Sequence, residues 1–77
     1  MSVKGCCMEI LANRLRALRA EKKLSRKAVA EHLNVVERTY QRYEENEGEP
    51  AASVLVQLAD LYGVTIDYLV GRTDKRK

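Results

Sequence analysis

Apolar positions near the middle of the chain recur with a helical period on both sides of a short polar turn. The first apolar face is predicted by three residues at helical spacing, namely Val29, Ala30 and Leu33. Ser25 precedes this face and is a favourable N-cap, while Asn34 follows it and enters the left-handed region at low cost. A second helix then covers about residues 36–44, with its tyrosines facing inward. Residues 25–44 therefore predict a helix, a tight turn and a second helix.

The same periodicity predicts three further helices around this pair. A first helix from residue 8 or 9 to residue 22 or 23 has a core face of Leu11, Leu15 and Leu18. A fourth helix is expected over about residues 52–62, with Gly63 as its left-handed cap, and a short fifth helix over residues 66–70. The inner face of the fourth helix is expected to contain Leu55, Leu58, Ala59 and Tyr62, and the core is expected to continue through Val64 and Ile66. The sequence thus predicts an all-α fold, a compact bundle of five short helices.

The length of 77 residues suits one small domain with a single core. We expect this domain to cover residues 9–71. Residues 1–8 show little periodicity and are expected to form a flexible lead-in, and residues 72–77 a charged C-terminal tail that frays.

Candidate residues for catalysis or metal binding are few. Cys6 and Cys7 are adjacent, which strains a disulfide between them, and with one His in the chain they do not make a zinc site. The sequence also lacks a glycine-rich phosphate loop and a nucleophile elbow. It therefore predicts neither an enzyme nor a bound metal or cofactor. Because no apolar run is long enough for a transmembrane helix or a signal core, we expect a soluble, cytoplasmic protein.

The distribution of charge is more informative than the net charge of +3. Residues 1–34 carry a net charge of +5, residues 35–50 a net charge of −3 and residues 51–77 a net charge of +1. The basic half coincides with the first two predicted helices and suits an anionic partner. The segment that contains the third helix is acidic, which opposes the same partner.

Several segments occur in the order and spacing of a known family. They are RLRALRAEKKLSRKAVAEHL, the turn NVV, the run TYQRYE, the loop that ends in Pro50, and LADLYGVTIDYLVGRTD. Over residues 15–74 the chain resembles the Cro/lambda-repressor-like, or Xre-type, helix-turn-helix domain. The resemblance implies a lambda-repressor-like bundle whose second and third helices form the helix-turn-helix.

The resemblance also implies a site, because the third helix of that family lies in the major groove of DNA. The implied base-reading residues are Glu37, Arg38, Thr39, Gln41 and Arg42. The implied phosphate-contacting positions are Ser25, Arg26, Lys27 and Val36. A structural ion pair between Arg19 and Glu44 is implied as well, which would tie the third helix to the first. The residue types suit these roles, since arginine binds guanine, glutamine pairs with adenine and lysine binds phosphate.

Four features depart from the family pattern, and the mildest is Asn34 at the turn position that is usually Gly. Val36 replaces the usual Ser or Thr cap of the third helix, which removes a side-chain cap worth about 1 kcal/mol and a phosphate contact. Ala51 similarly replaces a serine before the fourth helix. Glu45, Glu47 and Glu49 occupy a loop where the family often has residues that bind phosphate. Carboxylates in that place would weaken DNA binding, most strongly at low salt.

Two functions are compatible with these features. The first is a sequence-specific regulator of transcription, a repressor, that binds double-stranded DNA as a homodimer. Its dimer interface would use the N-terminal arm, the tail or the fifth helix, with Tyr68, Leu69 and Val70 as candidates. The alternative is an antirepressor-like module that binds a protein partner through the acidic loop 45–49 on the same scaffold.

Overall fold

The computed structural model describes residues 7–76, with side chains from residue 9 onward, and this part of the chain forms five helices. They are α1 (Cys7–Lys22), α2 (Arg26–Leu33), α3 (Glu37–Glu44), α4 (Ala52–Tyr62) and α5 (Ile66–Leu69). No strand occurs among the described residues, and the predicted all-α bundle is confirmed. Because α1 begins at Cys7, two residues of the expected lead-in are helical. The rest of the lead-in, with Cys6, and the last residue of the tail lie outside the described residues.

The helix ends follow the local chemistry of their caps. Ser25 Oγ accepts a hydrogen bond from the backbone N–H three residues later at 3.0 Å, and Thr65 Oγ1 does the same at the start of α5, also at 3.0 Å. Asn34 and Gly63 end α2 and α4 in the left-handed region, with φ angles of 62° and 68°. These four predicted helix boundaries are therefore confirmed by caps that satisfy backbone groups.

One hydrophobic core joins the five helices. Its buried members are Leu11, Leu15, Leu18, Val29, Ala30, Leu33, Tyr40, Tyr43, Leu58, Ala59, Tyr62 and Leu69. The predicted core faces of the first three helices are confirmed, and α3 packs against both α1 and α2. Leu55 and Val64 are half-buried at the edge of the core. The prediction for Ile66 is wrong, because α5 is a single turn at the rim of the bundle and buries only Leu69.

A buried polar network holds α3 against α1 and α4. The Glu44 carboxylate is 2% exposed and accepts hydrogen bonds from Arg19 Nε at 2.6 Å and Nη2 at 3.2 Å. Arg19 also donates to the Leu24 carbonyl at 3.0 Å. The phenolic oxygens of Tyr40 and Tyr62 lie 3.0 Å apart. Among the described residues, no buried side-chain polar atom is left without a hydrogen bond, so this network stabilises a defined position of α3.

The C-terminal tail packs against the bundle. Arg14 on α1 donates to the Thr73 carbonyl at 2.8 Å and to the Asp74 carboxylate at 3.0 Å. Arg76 donates two hydrogen bonds to the carboxylate of Glu21, at 2.9 and 2.7 Å. The expectation of a frayed tail is therefore wrong for residues 72–76. The sequence did not reveal these contacts, since they join residues more than 50 positions apart.

The ion pair between α1 and α3 predicts a large loss of stability when it is broken. An Arg19→Met variant leaves the Glu44 carboxylate buried without its cation, and we expect a loss of about 3 kcal/mol in the free energy of unfolding. Urea denaturation followed by circular dichroism measures this loss. The matched control is Glu21→Gln, which breaks an exposed pair and should change stability little. Equal effects of the two variants would contradict the importance of the buried pair.

The tyrosine pair predicts a loss of stability in alkali. Burial raises the pKa of both Tyr40 and Tyr62 above the value of about 10 that tyrosine has in an unfolded chain. Above pH 10 the unfolded chain releases these protons while the folded chain retains them. The contribution of the two tyrosines to stability is therefore fully present below pH 10. As the pH rises further, the free energy of unfolding should fall by up to about 1.4 kcal/mol per pH unit for each tyrosine.

Urea denaturation between pH 8 and pH 11 measures this dependence. Tyr62→Phe should flatten the fall in stability, because one of the two protons is gone. Tyr43→Phe is the matched control, since it removes a phenol from the same core and leaves the Tyr40–Tyr62 pair in place. A Tyr62→Phe variant that keeps the full alkaline slope would show that the pair does not cause it.

Candidate nucleic-acid interface

The outward face of α3 is polar and carries two exposed arginines. Tyr40 and Tyr43 point into the core, whereas Glu37, Arg38 and Arg42 are exposed. Arg38 and Arg42 are four residues apart, so their side chains lie on the same face of the helix. The tyrosines and the ion pair of Glu44 hold the opposite side of α3. The helix therefore presents two guanidinium groups on a face that is not occupied by the body of the protein.

Two further predicted base-reading residues lie at the edges of this face. Gln41 is half-buried, and its Nε2 donates to Glu45 Oε2 at 3.0 Å. Thr39 is half-buried on the other edge, where it lines a groove between α3 and the following loop. Arg42 lines the same groove. The central part of the face is therefore formed by the arginines, with the shorter polar side chains beside them.

The N-terminus of α2 concentrates positive charge. Ser25 and Lys27 are exposed, Arg26 is half-buried, and the first turn contains no acidic residue. Cations at this end of a helix are unfavourable, because the aligned peptide dipoles already make it positive. A bound anion would remove the conflict, and unpaired backbone N–H groups are available there to bind it. The Ser25 oxygen accepts a capping hydrogen bond, which leaves its O–H as a donor.

The N-terminus of α3 is built differently. Val36 occupies the N-cap position with an extended backbone and makes no side-chain cap, and its side chain is 67% exposed. Glu37 follows in the first turn and is a favourable partner for the positive end of the helix. Ala51 also precedes α4 without a side-chain cap. Both expected losses of a cap are thus present in the structure.

The acidic loop 45–49 folds back along the last turn of α3. The Glu47 N–H donates to the Arg42 carbonyl at 2.9 Å, and Arg42 Nη2 lies 3.4 Å from the Glu47 carbonyl oxygen. The side chains of Glu45, Glu47 and Glu49 are exposed. The loop therefore places carboxylates beside the C-terminal half of α3, and it leaves both arginines of the outward face exposed.

Contacts that sequence reasoning missed also position α3. Arg16 on α1 donates to the carbonyl of Glu44 at the C-terminal end of α3, where helix carbonyls lack intrahelical partners. The hydroxyl pair of Tyr40 and Tyr62 was likewise not expected. The only sequence signal for either contact was residue type, because a polar atom on an inward face requires a partner. The identity of that partner depends on which helices pack together.

The predicted dimer residues on α5 require a correction. Leu69 is fully buried in the core of a single chain, so it is not available to a second chain. Tyr68 is half-buried, and its ring lies under the guanidinium of Arg14 at 4.0 Å. Val70 is half-buried. Of the three candidates, Tyr68 and Val70 keep some exposed surface.

Comparison with known proteins agrees with this geometry. A family model described as helix-turn-helix matches residues 15–69, which is more than half of the chain. The chain therefore belongs to the helix-turn-helix family of the Xre and Cro-like type. The curated relatives carry the names of transcriptional regulators, and none of these names is that of an enzyme. No solved structure gave a match.

Three relatives come from Bacillus subtilis strain 168, and each is named an HTH-type transcriptional regulator. The chain is 41% identical to YobD, which is called uncharacterized, over 79% of its own length and 54% of that protein. It is 33% identical to ImmR over 87% of its length and 53% of that protein. It is 35% identical to AnsR over 84% of its length and 56% of that protein. The chain thus spans about half the length of the curated relatives it matches.

The described residues contain neither a cluster of metal ligands nor a membrane-spanning helix. Within residues 7–76, no group of three or more His, Cys, Asp or Glu side chains comes together as a metal site would require. No helix in the same part of the chain combines the length and the apolar character needed to cross a membrane.

Proposed function

We propose that this chain is a DNA-binding domain of a transcriptional regulator and that α3 enters the major groove of double-stranded DNA. The observation that carries the proposal is the exposure of Arg38 and Arg42 on one face of α3, while the opposite face is held by the core and by the pair of Arg19 and Glu44. A helix that binds base edges needs one exposed face, and its opposite face must be held firmly by the rest of the protein. Membership of the helix-turn-helix family and the names of the three relatives support the same function.

Base reading follows from the chemistry of the outward face of α3. Arg38 and Arg42 each bind the O6 and N7 acceptors of a guanine, with about 1–3 kcal/mol of discrimination for a good bidentate pair. Gln41 at the edge pairs with adenine, and Glu37 accepts a hydrogen bond from the amino group of cytosine. Thr39 contacts a thymine methyl group. Gln41 and Thr39 are half-buried, whereas Arg38 and Arg42 are exposed and can each bind one base through two hydrogen bonds. The arginines therefore contribute most of the discrimination between bases.

Phosphate binding is assigned to the start of α2. Ser25, Arg26 and Lys27 combine a hydroxyl donor, two cations and the positive end of the helix dipole, and these groups bind phosphate oxygens without reading sequence. Val36 stands at the corresponding position of α3, where the family has a phosphate contact. Its side chain has no donor, so α2 supplies the side-chain contacts that fix the position of the domain on the DNA.

We further propose a homodimer that represses transcription. Dimers of this class bind half-sites whose centres are about 34 Å apart, so two copies of α3 enter the groove on one side of the duplex. The interface candidates are the half-buried Tyr68 and Val70 at the end of α5, the N-terminal arm and the tail. A dimer that occupies the groove blocks other proteins from the same DNA, which makes repression the simplest outcome. Such a role places the protein in the cytoplasm of a bacterial cell, where the DNA is.

Removal of the two arginines of α3 tests DNA binding directly. Selection from a random duplex pool at low salt should enrich one sequence, and the Arg38→Ala/Arg42→Ala double variant should bind it at least 30-fold more weakly, because two bidentate base contacts are lost. Gel mobility shift measures the dissociation constants. The matched control is Arg72→Ala/Lys75→Ala, which removes the same charge from the exposed tail and should have a smaller effect. Failure to enrich any sequence would remove the proposal.

The acidic loop supports a second candidate function, a protein-binding regulatory module. Its carboxylates adjoin α3, where Glu45 accepts a hydrogen bond from Gln41 and Glu49 lines the same groove as Arg42. They repel a phosphate backbone, whereas a basic protein surface would be attracted to them. A Glu45→Lys/Glu47→Lys/Glu49→Lys variant discriminates between the two functions. If the chain is a DNA reader, this variant should bind the selected sequence more tightly than the parent protein, with a steeper dependence on salt. If DNA binding occurs only in the variant and is absent in the parent, the protein-binding function is the correct one.

A further inference from the structure

Val36 has the most exposed large apolar side chain of the described residues. It is 67% exposed, compared with 46% for Val56 and 37% for Ile66. Isolated apolar residues are common on protein surfaces and need no special explanation. The position of Val36 is unusual, however, because it is the N-cap of α3, the end of the helix that approaches base edges in a helix-turn-helix protein.

Neither packing nor helix stability accounts for a valine at this position. Val35 packs against the core on the inner side of the turn, so Val36 adds no comparable contact. The backbone of Val36 already has cap geometry, with φ −75° and ψ 153°, and its carbonyl accepts hydrogen bonds from Thr39 at 3.0 Å and Tyr40 at 3.3 Å. A serine in this conformation would cap the helix without a change in the backbone. The valine therefore forgoes a stabilising hydrogen bond and exposes two methyl groups instead.

We propose that Val36 reads thymine by packing its methyl groups against the C5-methyl group of that base in the major groove. This inference rests on the proposed function and deepens it. The C5-methyl of thymine is the one apolar group on the base edges that the major groove presents, so it is the natural partner for an apolar side chain at the tip of α3. Glu37 and Arg38 follow directly and supply polar contacts to neighbouring bases. Val36 thus adds specificity at a position where the family has a phosphate contact.

Replacement of thymine by deoxyuracil tests the inference, because it removes the methyl group and leaves base pairing intact. Each thymine of the selected sequence is replaced in turn, and the dissociation constant is measured for each duplex. One replacement should weaken binding of the unaltered protein about fourfold, the factor for burial of one methyl group. In the Val36→Ser variant this replacement should have no effect, while the effects at thymines read by other residues should persist.

Three variants separate the reading of thymine from an effect on stability. Val36→Ser should raise the midpoint of thermal unfolding, because serine restores the helix cap, and a residue with a purely structural role would not combine higher stability with lost thymine preference. Val56→Ser removes the same side chain from the exposed surface of α4 and should keep the full preference for thymine over deoxyuracil. Val36→Thr retains one methyl group and should keep part of the preference.

The outcomes distinguish this inference from the proposed function. If no DNA sequence is selected, the proposed function fails and the inference fails with it. If a sequence is selected but no thymine-to-deoxyuracil replacement affects the unaltered protein, the proposed function stands and the inference is overturned. The inference is also overturned if Val36→Ser keeps the fourfold effect at every thymine, because another side chain then reads the methyl group.

Discussion

The structure depends on the tertiary contacts that hold α3 in place. An isolated helix of eight residues does not form in water, because nucleation costs more than so few hydrogen bonds return. The α3 helix has a polar outward face and no side-chain cap, so its stability comes from burial of two tyrosines and from the pair of Arg19 and Glu44. The hydroxyl pair of Tyr40 and Tyr62 adds a contact to α4. These contacts all lie on the inner side, which is why the outer side is available to a partner.

Charge divides the surface near α3 into regions with opposite preferences. The start of α2 carries cations at the positive end of a helix dipole, and the outward face of α3 carries Arg38 and Arg42. The loop 45–49 carries three carboxylates beside the C-terminal end of the same helix. A duplex that contacts all three regions gains from the first two and loses from the third. The net affinity for such a duplex would therefore depend on salt.

If α3 binds DNA as proposed, stability and base recognition compete at its start. A polar cap at position 36 would stabilise the helix, yet the chain has an exposed valine there. The cost is tolerable because Glu37 compensates part of the helix dipole and because the core holds the helix from behind. The tail also packs on α1, where Arg14 donates to Thr73 and Asp74 and Arg76 pairs with Glu21. The packed scaffold thus tolerates a start of α3 that has no side-chain cap.

The sequence by itself determined the five helices, most of their boundaries and the buried face of α3. These features depend on local periodicity and on cap residues such as Ser25 and Asn34, whose effect extends over only a few positions. It also indicated which side chains of α3 point outward. Only the tertiary structure decided that Leu69 is core while Ile66 is exposed, that the tail packs on α1, and that the acidic loop leaves the arginines of α3 uncovered. Such outcomes depend on contacts between residues that are distant in the chain. The pattern of polar and apolar residues does not specify which distant residue will contact an inward polar atom or a terminal segment.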